Sequence, residues 1–133
     1  MKTRPLLMLE DCRKISTAAE AEAKKNNWNV CIAILDDGGH LLHLVRMDGA
    51  SPANARIAVE KGRTAAESRR SSLVCEERIK AGRNSMLGMP GITLVQGGLP
   101  IIVEGICVGG VGVSGVQSHE DEQIAAAGIK VLG

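Results

Sequence analysis

A chain of 133 residues with 44% hydrophobic and 23% charged residues has the length and composition of one globular domain, which we expect to span residues 1–133. A formal net charge of +1 gives no bulk attraction to nucleic acid or to an anionic membrane surface. Trp28 is accompanied by no phenylalanine or tyrosine, so the stacking surfaces used by single-stranded nucleic-acid binders are missing. No apolar run approaches the ~18 residues of a membrane-spanning helix. We therefore expect no nucleic-acid partner and no membrane partner.

The N-terminal segment and the cysteines both indicate a cytoplasmic protein. The apolar stretch after Pro5 is only about four residues long, shorter than the ~7–15 of a signal peptide, and Glu10 and Asp11 end it. The cysteines are widely separated, form no C-x-x-C pair and have apolar neighbours; they are Cys12, Cys31, Cys75 and Cys107. In a reducing compartment such residues stay free and behave as small buried hydrophobes.

The first half of the chain predicts a helix, a hairpin and a second helix. Apolar residues recur at helical spacing from about residue 6 to residue 26. Residues 30–35 are continuously apolar, as in a strand covered on both faces. The Asp-Asp-Gly-Gly turn at residues 36–39 then predicts a hairpin with a second strand at residues 40–47. Ser51-Pro52 begins a helix that we expect to reach about Ser68.

The second half predicts a short helix, three strands and a final helix. The helices are expected at residues 73–81 and 118–127, with a loop at residues 82–91. The strands are expected at residues 92–95, 99–103 and 106–113, separated by Gly-containing turns. The fold class is therefore α/β of the α+β type, with a five-stranded, largely antiparallel sheet packed with three to four helices.

The turn into the last helix has two interpretations. A glycine-bearing turn at a helix N-terminus can present backbone N–H groups to a phosphate. Alternatively, Ser118 caps the helix and Asp121 closes a capping box. The acids at residues 120–122 would repel a phosphate and suit the helix dipole, so we expect a capping role for Asp121.

Glycines in the C-terminal third form a second feature. Several lie in or beside one predicted strand, namely Gly105, Gly109, Gly110, Gly112 and Gly115. Close packing of a helix on the sheet would explain them, and approach of a flat ligand or a neighbouring subunit is the alternative. Gly97 and Gly98, before Pro100, indicate a turn first and a pocket rim second.

The histidines are the candidate axial donors. His40 and His43 are an odd number of residues apart, so a regular strand points them to opposite faces and they cannot share one metal unless the strand bulges. We therefore expect no metal site of that kind, although a haem needs only one donor on a side. His40 is the first choice because it follows a turn, and His43 is the second. His119 ranks last because neighbouring acids favour its charged form, which cannot ligate iron.

The predicted second helix carries a charged face. Arg56, Glu60 and Arg63 are spaced as helix neighbours, which predicts a solvated, self-paired face that includes Lys61. The alternative is that Lys61 or Arg63 binds a carboxylate.

No set of residues predicts a reaction. Nucleophilic catalysis needs a serine or cysteine beside a base that a third group orients. Ser114, Ser118, Cys107 and His119 are present, but no nucleophile-elbow pattern surrounds them. No catalytic residue is therefore predicted, and the question of an enzymatic activity stays open.

Three stretches resemble the GlcG/HbpS-like domain family. The first is Asp36-Asp-Gly-Gly-His-Leu-Leu with Arg46-Met-Asp-Gly-Ala, which is similar to the first hairpin of that family. The second is Ala53-x-x-x-Ile-Ala-x-x-Lys-x-x-Thr-Ala, similar to its second helix. The third is Gln96-Gly-Gly-Leu-Pro-Ile, followed by a glycine-rich strand and Glu120-Asp-Glu-x-Ile-Ala, similar to its C-terminal signature.

The resemblance implies a profilin-like fold that assembles as a homo-oligomer. Family members are linked to haem binding, to glycolate-utilisation operons and to the C-terminal part of PduO-type cobalamin adenosyltransferases. Adenosyl transfer is not expected here, because the N-terminal ATP-using domain of that last group has no counterpart in these 133 residues.

Two functions remain open. The first is a small cytosolic accessory protein that binds haem or a related tetrapyrrole. Its cofactor-binding candidates are His40, His43, Lys61, Gly97 and Gly98. The alternative is a non-catalytic assembly or regulatory partner of a diol or hydroxy-acid metabolic enzyme of the glycolate or glycerol type.

Overall fold

A computed structural model describes residues 1–133 as a four-stranded antiparallel sheet with four α-helices. In chain order the elements are α1 (Leu9–Lys25), β1 (Cys31–Asp36), β2 (Leu41–Arg46), α2 (Pro52–Ser68), α3 (Ser72–Lys80), β3 (Gly98–Val103), β4 (Ile106–Ser114) and α4 (Ser118–Ile129). Short 3₁₀ turns lie at Asn84–Gly88 and Lys130–Leu132. The strand order β2-β1-β4-β3 makes β2 and β3 the two edges. None of the helices has the length and apolar character needed to cross a membrane.

Helices cover both faces of the sheet, which is why β1 is apolar at every buried position. Ile32 and Ile34 point to the side of α1 and α4, where they pack in the main core with Ile15 and Ile124. The alternate residues of β1 point to α2 and form a smaller cluster with Ala50 and Ala58, namely Cys31, Ala33 and Leu35. A strand with two covered faces gains from apolar side chains at both parities.

Close packing of α2 on β4 accounts for two of the strand glycines. A Cβ atom at Gly112 would lie 1.9 Å from the carbonyl oxygen of Ala58, and one at Gly110 would lie 2.4 Å from that of Gly62. On the helix side, Gly62 packs closely against the same strand, since a Cβ there would lie 2.9 Å from the backbone nitrogen of Gly112. The absence of side chains on both surfaces therefore lets the helix backbone lie directly on the strand.

The predicted strand at residues 92–95 is wrong, and the sheet has four strands instead of five. Side chains of α2 and α3 satisfy the polar backbone groups of this segment. Thr93 donates its N–H to Thr64 Oγ1 at 2.9 Å, and the carbonyl oxygen of Val95 accepts from Ser72 Oγ at 2.6 Å. The next N–H, that of Gln96, donates to a carboxylate oxygen of α3 at 3.3 Å. Backbone N–H and C=O groups that are hydrogen-bonded in this way are not available to pair with a neighbouring strand.

Candidate functional site

The five predicted site residues fall into two groups on opposite sides of the molecule. His40 and His43 lie at the β2 edge, whereas Gly98 begins β3 at the other edge. Three inter-strand spacings of ~4.8 Å separate these edges, which amounts to roughly 14 Å. Lys61 and Gly97 belong with Gly98, because a Cβ atom at Gly97 would lie 2.8 Å from Lys61 Nζ. The chain therefore does not bring the five residues into one pocket.

Lys61 is buried in an ion pair with Asp121, which corrects the prediction of a solvated lysine. Lys61 Nζ lies 2.9 Å from Asp121 Oδ2, and both side chains are only 3% exposed. The same ammonium donates to the carbonyl oxygen of Val113 at 3.1 Å. Lysine does bind a carboxylate here, but that carboxylate belongs to the chain itself. The pair joins α2, β4 and α4.

Asp121 does not close a capping box, so that prediction is also wrong. Helix α4 has Gln117 as its N-cap, and Glu120 Oε1 accepts the N–H of Gln117 at 3.1 Å. Asp121 Oδ1 instead accepts the N–H of Val116 at 3.1 Å. Burial raises the pKa of the Asp121 carboxyl above its ordinary range, and the positive charge of Lys61 opposes that rise.

The sequence did contain a signal for the burial of Asp121. Positions 121, 124, 125 and 128 form the buried stripe of α4, at spacings of three, four and seven residues. These spacings mark one face of a helix. Asp121, the first of the four positions, is therefore expected to point inward with the other three. Asp121 thus differs from Glu120 and Glu122, its neighbours in the first turn, because only Asp121 is buried.

Gly97 and Gly98 make room for this pair and close the space above it. A Cβ at Gly98 would lie 2.1 Å from the carbonyl oxygen of Lys61, and the Gly98 N–H donates to Ser72 Oγ at 2.9 Å. Gly97 has φ +133°, a backbone conformation that favours glycine. Both glycines are buried. The arrangement leaves Lys61 and Asp121 almost completely shielded from solvent.

A bulge in β2 corrects the expected orientation of the two histidines. Register changes between Ile34, which pairs with His43, and Leu35, which pairs with Leu41. Leu42 is therefore an extra residue in β2, and an extra residue reverses the alternation of side chains beyond it. The N–H of Asp36 donates to the carbonyl oxygen of His40 at 2.9 Å. His40 and His43 consequently lie on the same side of the sheet.

The segment from residue 40 to residue 44, called here the β2 edge, combines imidazoles with exposed leucines. Leu41, Leu42 and Leu44 are 46%, 38% and 39% exposed, respectively. His40 is exposed and His43 is half-buried. Such apolar residues on an unpaired strand form a surface that favours association with a ligand or another chain.

The Asp36 carboxylate orders the turn that carries His40. Its Oδ1 atom accepts the N–H groups of Gly38 at 2.9 Å and of His40 at 3.0 Å. The imidazole lies against this turn, since a Cβ at Gly38 would be 3.3 Å from His40 Cδ2. His40 is thus held by an ordered turn at the surface.

Four surface cavities are present, and none is lined by any of the five predicted residues. The largest has a volume of about 430 Å³ and lies along the outer side of α1, where its lining contains no histidine, cysteine or methionine. The others have volumes of about 370, 210 and 200 Å³.

Comparisons with known proteins support the resemblance inferred from the motifs. A family model described as "Haem degrading protein HbpS-like" matches residues 7–130. The chain is 46% identical over 114 residues to protein GlcG of Escherichia coli strain K12, covering 86% of this chain and 85% of GlcG. It superposes on a double mutant of HbpS from Streptomyces reticuli with a TM-score of 0.92 and 33% identity, covering 100% of this chain and 91% of that one.

A PduOC:heme complex shares the fold at lower similarity. Its TM-score is 0.86 at 23% identity, with coverage of 95% of this chain and 94% of the other. Since the family model spans nearly all of the chain and GlcG matches most of it, the recognition made from the motifs is confirmed. The chain belongs to the HbpS-like family.

Proposed function

We propose that the chain binds haem or a closely related tetrapyrrole at the β2 edge, with His40 as the axial donor. The observation that carries the proposal is an exposed imidazole on an ordered turn at the end of the unpaired edge strand β2. Leu41 and Leu44 point to the α2 side of the sheet, opposite to His40, because they pair with Leu35 and Ala33. A ligand that contacts both the imidazole and these leucines must therefore lie across the free edge of the strand. A tetrapyrrole offers an axial position at its metal, which one imidazole can fill, and an apolar periphery, which side chains at a free strand edge can contact. The description of the family as haem-degrading supports this choice of ligand.

The proposed site includes a second copy of the chain. His40 lines none of the cavities of the single chain, so one chain alone offers no enclosed pocket at this residue. An exposed edge strand with apolar side chains is also the kind of surface that proteins cover by association. A homo-oligomer that covers the β2 edge would enclose the ligand between subunits.

The proposed role is that of a cytoplasmic, ligand-binding accessory protein. Its thiols fit a reducing compartment, because Cys12, Cys31 and Cys75 are buried and serve as packing residues. The alternative role, as an assembly or regulatory partner of a diol or hydroxy-acid enzyme, requires no tetrapyrrole. Haem binding by the purified chain therefore separates the two.

A haemin titration followed in the Soret region tests the proposal. Wild-type protein should give a saturable, red-shifted band near one equivalent per chain. His40→Ala should weaken binding by about tenfold or more, the loss expected for one well-placed ligand bond. His119→Ala is the matched control, because His119 is exposed on α4, away from the β2 edge. Wild-type absorbance that does not saturate, or a His40→Ala variant that binds like the wild type, would contradict the proposal.

A further inference from the structure

We propose that Arg70, Arg78 and Arg83 form a binding site for a small organic anion, one with a carboxylate or phosphate head and a short apolar body. These arginines surround a cavity of about 210 Å³ where the end of α2, α3 and the following turn meet. Its apolar lining is formed by Cys75, Met86, Met89 and Ile92. The cavity belongs to the β3 side of the sheet, since α3 packs against β3, and is thus separate from the β2 edge.

Two backbone turns bring the arginines together. Helix α2 ends where Arg69 adopts φ +61°, which redirects the chain at Arg70. Gly82 adopts φ +96° after α3, and the N–H of Arg83 then donates to the carbonyl oxygen of Arg78 at 3.0 Å. The positive φ at Gly82 is a conformation that glycine takes at little cost. The placement of Arg78 and Arg83 on one rim is therefore set by the main chain.

The charges around the cavity have no internal partner. Arg70, Arg78 and Arg83 form no ion pair, unlike Arg4, Arg13 and Arg63 elsewhere in the chain. On α3, Glu76 pairs with Lys80 at 3.2 Å. Glu77 lies roughly 160° around the helix from Cys75 at 3.6 residues per turn, so it faces away from the cavity. All three arginines are exposed, so their guanidinium groups are accessible to an anion from solvent.

The chemistry and size of the cavity define the ligand class. Guanidinium groups donate two parallel hydrogen bonds to a carboxylate or a phosphate, and such charge-assisted bonds are strong. Methionine side chains adapt to an alkyl group of irregular shape. The volume of about 210 Å³ lies below the roughly 300–1,000 Å³ of pockets for drug-sized ligands. A compact anion with a few carbon atoms fits these conditions.

Isothermal titration of the full chain with butyrate and with butyl phosphate tests the site and distinguishes its two head groups. Butyramide is the neutral probe of matched shape, and inorganic phosphate lacks the apolar body. We expect saturable binding of at least one of the two organic anions and no binding of butyramide. Inorganic phosphate should bind at least about tenfold more weakly, because it has no alkyl chain to remove from water.

Variants then locate the binding. Arg78→Gln and Arg83→Gln should each weaken binding of the organic anion by about tenfold, since each removes a charge-assisted hydrogen bond. Arg56→Gln is the matched control, because Arg56 is an exposed arginine on α2 outside the cavity. Binding that survives both cavity substitutions, binding that Arg56→Gln weakens equally, or no binding of either organic anion to the wild type would overturn the proposal.

Discussion

The Lys61–Asp121 pair and the β2 edge are the two most distinctive regions of this molecule, and they differ in the solvent exposure of their side chains. Both side chains of the pair are 3% exposed, whereas the leucines of the β2 edge are between 38% and 46% exposed. The pair has its hydrogen bonds satisfied by the chain itself, through Val113 and Val116. The edge leaves one side of a strand unpaired. The charged pair thus serves the scaffold, whereas the edge with its exposed imidazole is left uncovered in the single chain.

The largest expected effect comes from breaking the buried pair. Lys61→Met removes the ammonium and leaves the Asp121 carboxylate buried without a charge partner, which should lower the free energy of unfolding by about 3–5 kcal/mol. Urea denaturation measures this loss. The exposed Lys80→Met is the control and should change stability by about 0.5 kcal/mol or less. The double variant Lys61→Met/Asp121→Leu should recover most of the loss, and a double variant as unstable as the single one would contradict the interpretation.

The stability of Lys61→Met relative to the wild type should fall as the pH rises from acid to neutral. Without Lys61, burial raises the pKa of Asp121 further, because desolvation is then opposed only by the Val116 N–H. A folded state with a raised carboxyl pKa binds the proton more tightly than the unfolded chain. The stabilisation from protonated Asp121 is therefore complete below the ordinary carboxyl pKa of about 3.9. It is lost as the pH rises through the pKa of Asp121 in the folded state. The gap in melting temperature between Lys61→Met and wild type should widen from acid to neutral pH. A gap that narrows would contradict this.

A smaller loss is expected where α2 lies on β4. Gly112→Ala would place a methyl group 1.9 Å from the carbonyl oxygen of Ala58, so the helix must shift, at a cost of about 2–3 kcal/mol. Gly88→Ala is the control, because a Cβ there meets no atom within 4 Å. Thermal unfolding of the two variants compares them directly. Equal stability of the two would show that α2 does not pack as closely as described.

Much of the fold follows from local patterns in the sequence. Apolar periodicity and the Asp-Asp-Gly-Gly turn predicted α1, the first hairpin and α2 within a few residues of their observed bounds. The extra strand at residues 92–95 was predicted from the Gly-containing turn that follows it, whereas the actual partners of this segment, Thr64 and Ser72, lie far away in the chain. Local patterns cannot identify such partners.

The candidate site was only partly predictable for a related reason. The exposed position of His40 follows from the turn before it. The orientation of His43 relative to His40 depends on the bulge at Leu42, for which no turn residue gives a signal. The burial of Lys61 depends on Gly97, Gly98 and Asp121 meeting it in three dimensions, although the inward position of Asp121 could have been found from the period of α4.

The claim that haem binds at the β2 edge and not at the Lys61–Asp121 pair is tested most directly by the haem affinity of one variant from each region. The double variant Lys61→Met/Asp121→Leu changes only buried groups, so it should titrate with haemin as the wild type does. Leu42→Asp places a charge on the β2 edge next to the proposed ligand, where burial of a charge is costly, and should weaken haemin binding by about tenfold or more. Circular dichroism confirms beforehand that both variants are folded. Haem binding lost in the folded pair variant and retained in Leu42→Asp would contradict the account and move the site to the buried pair.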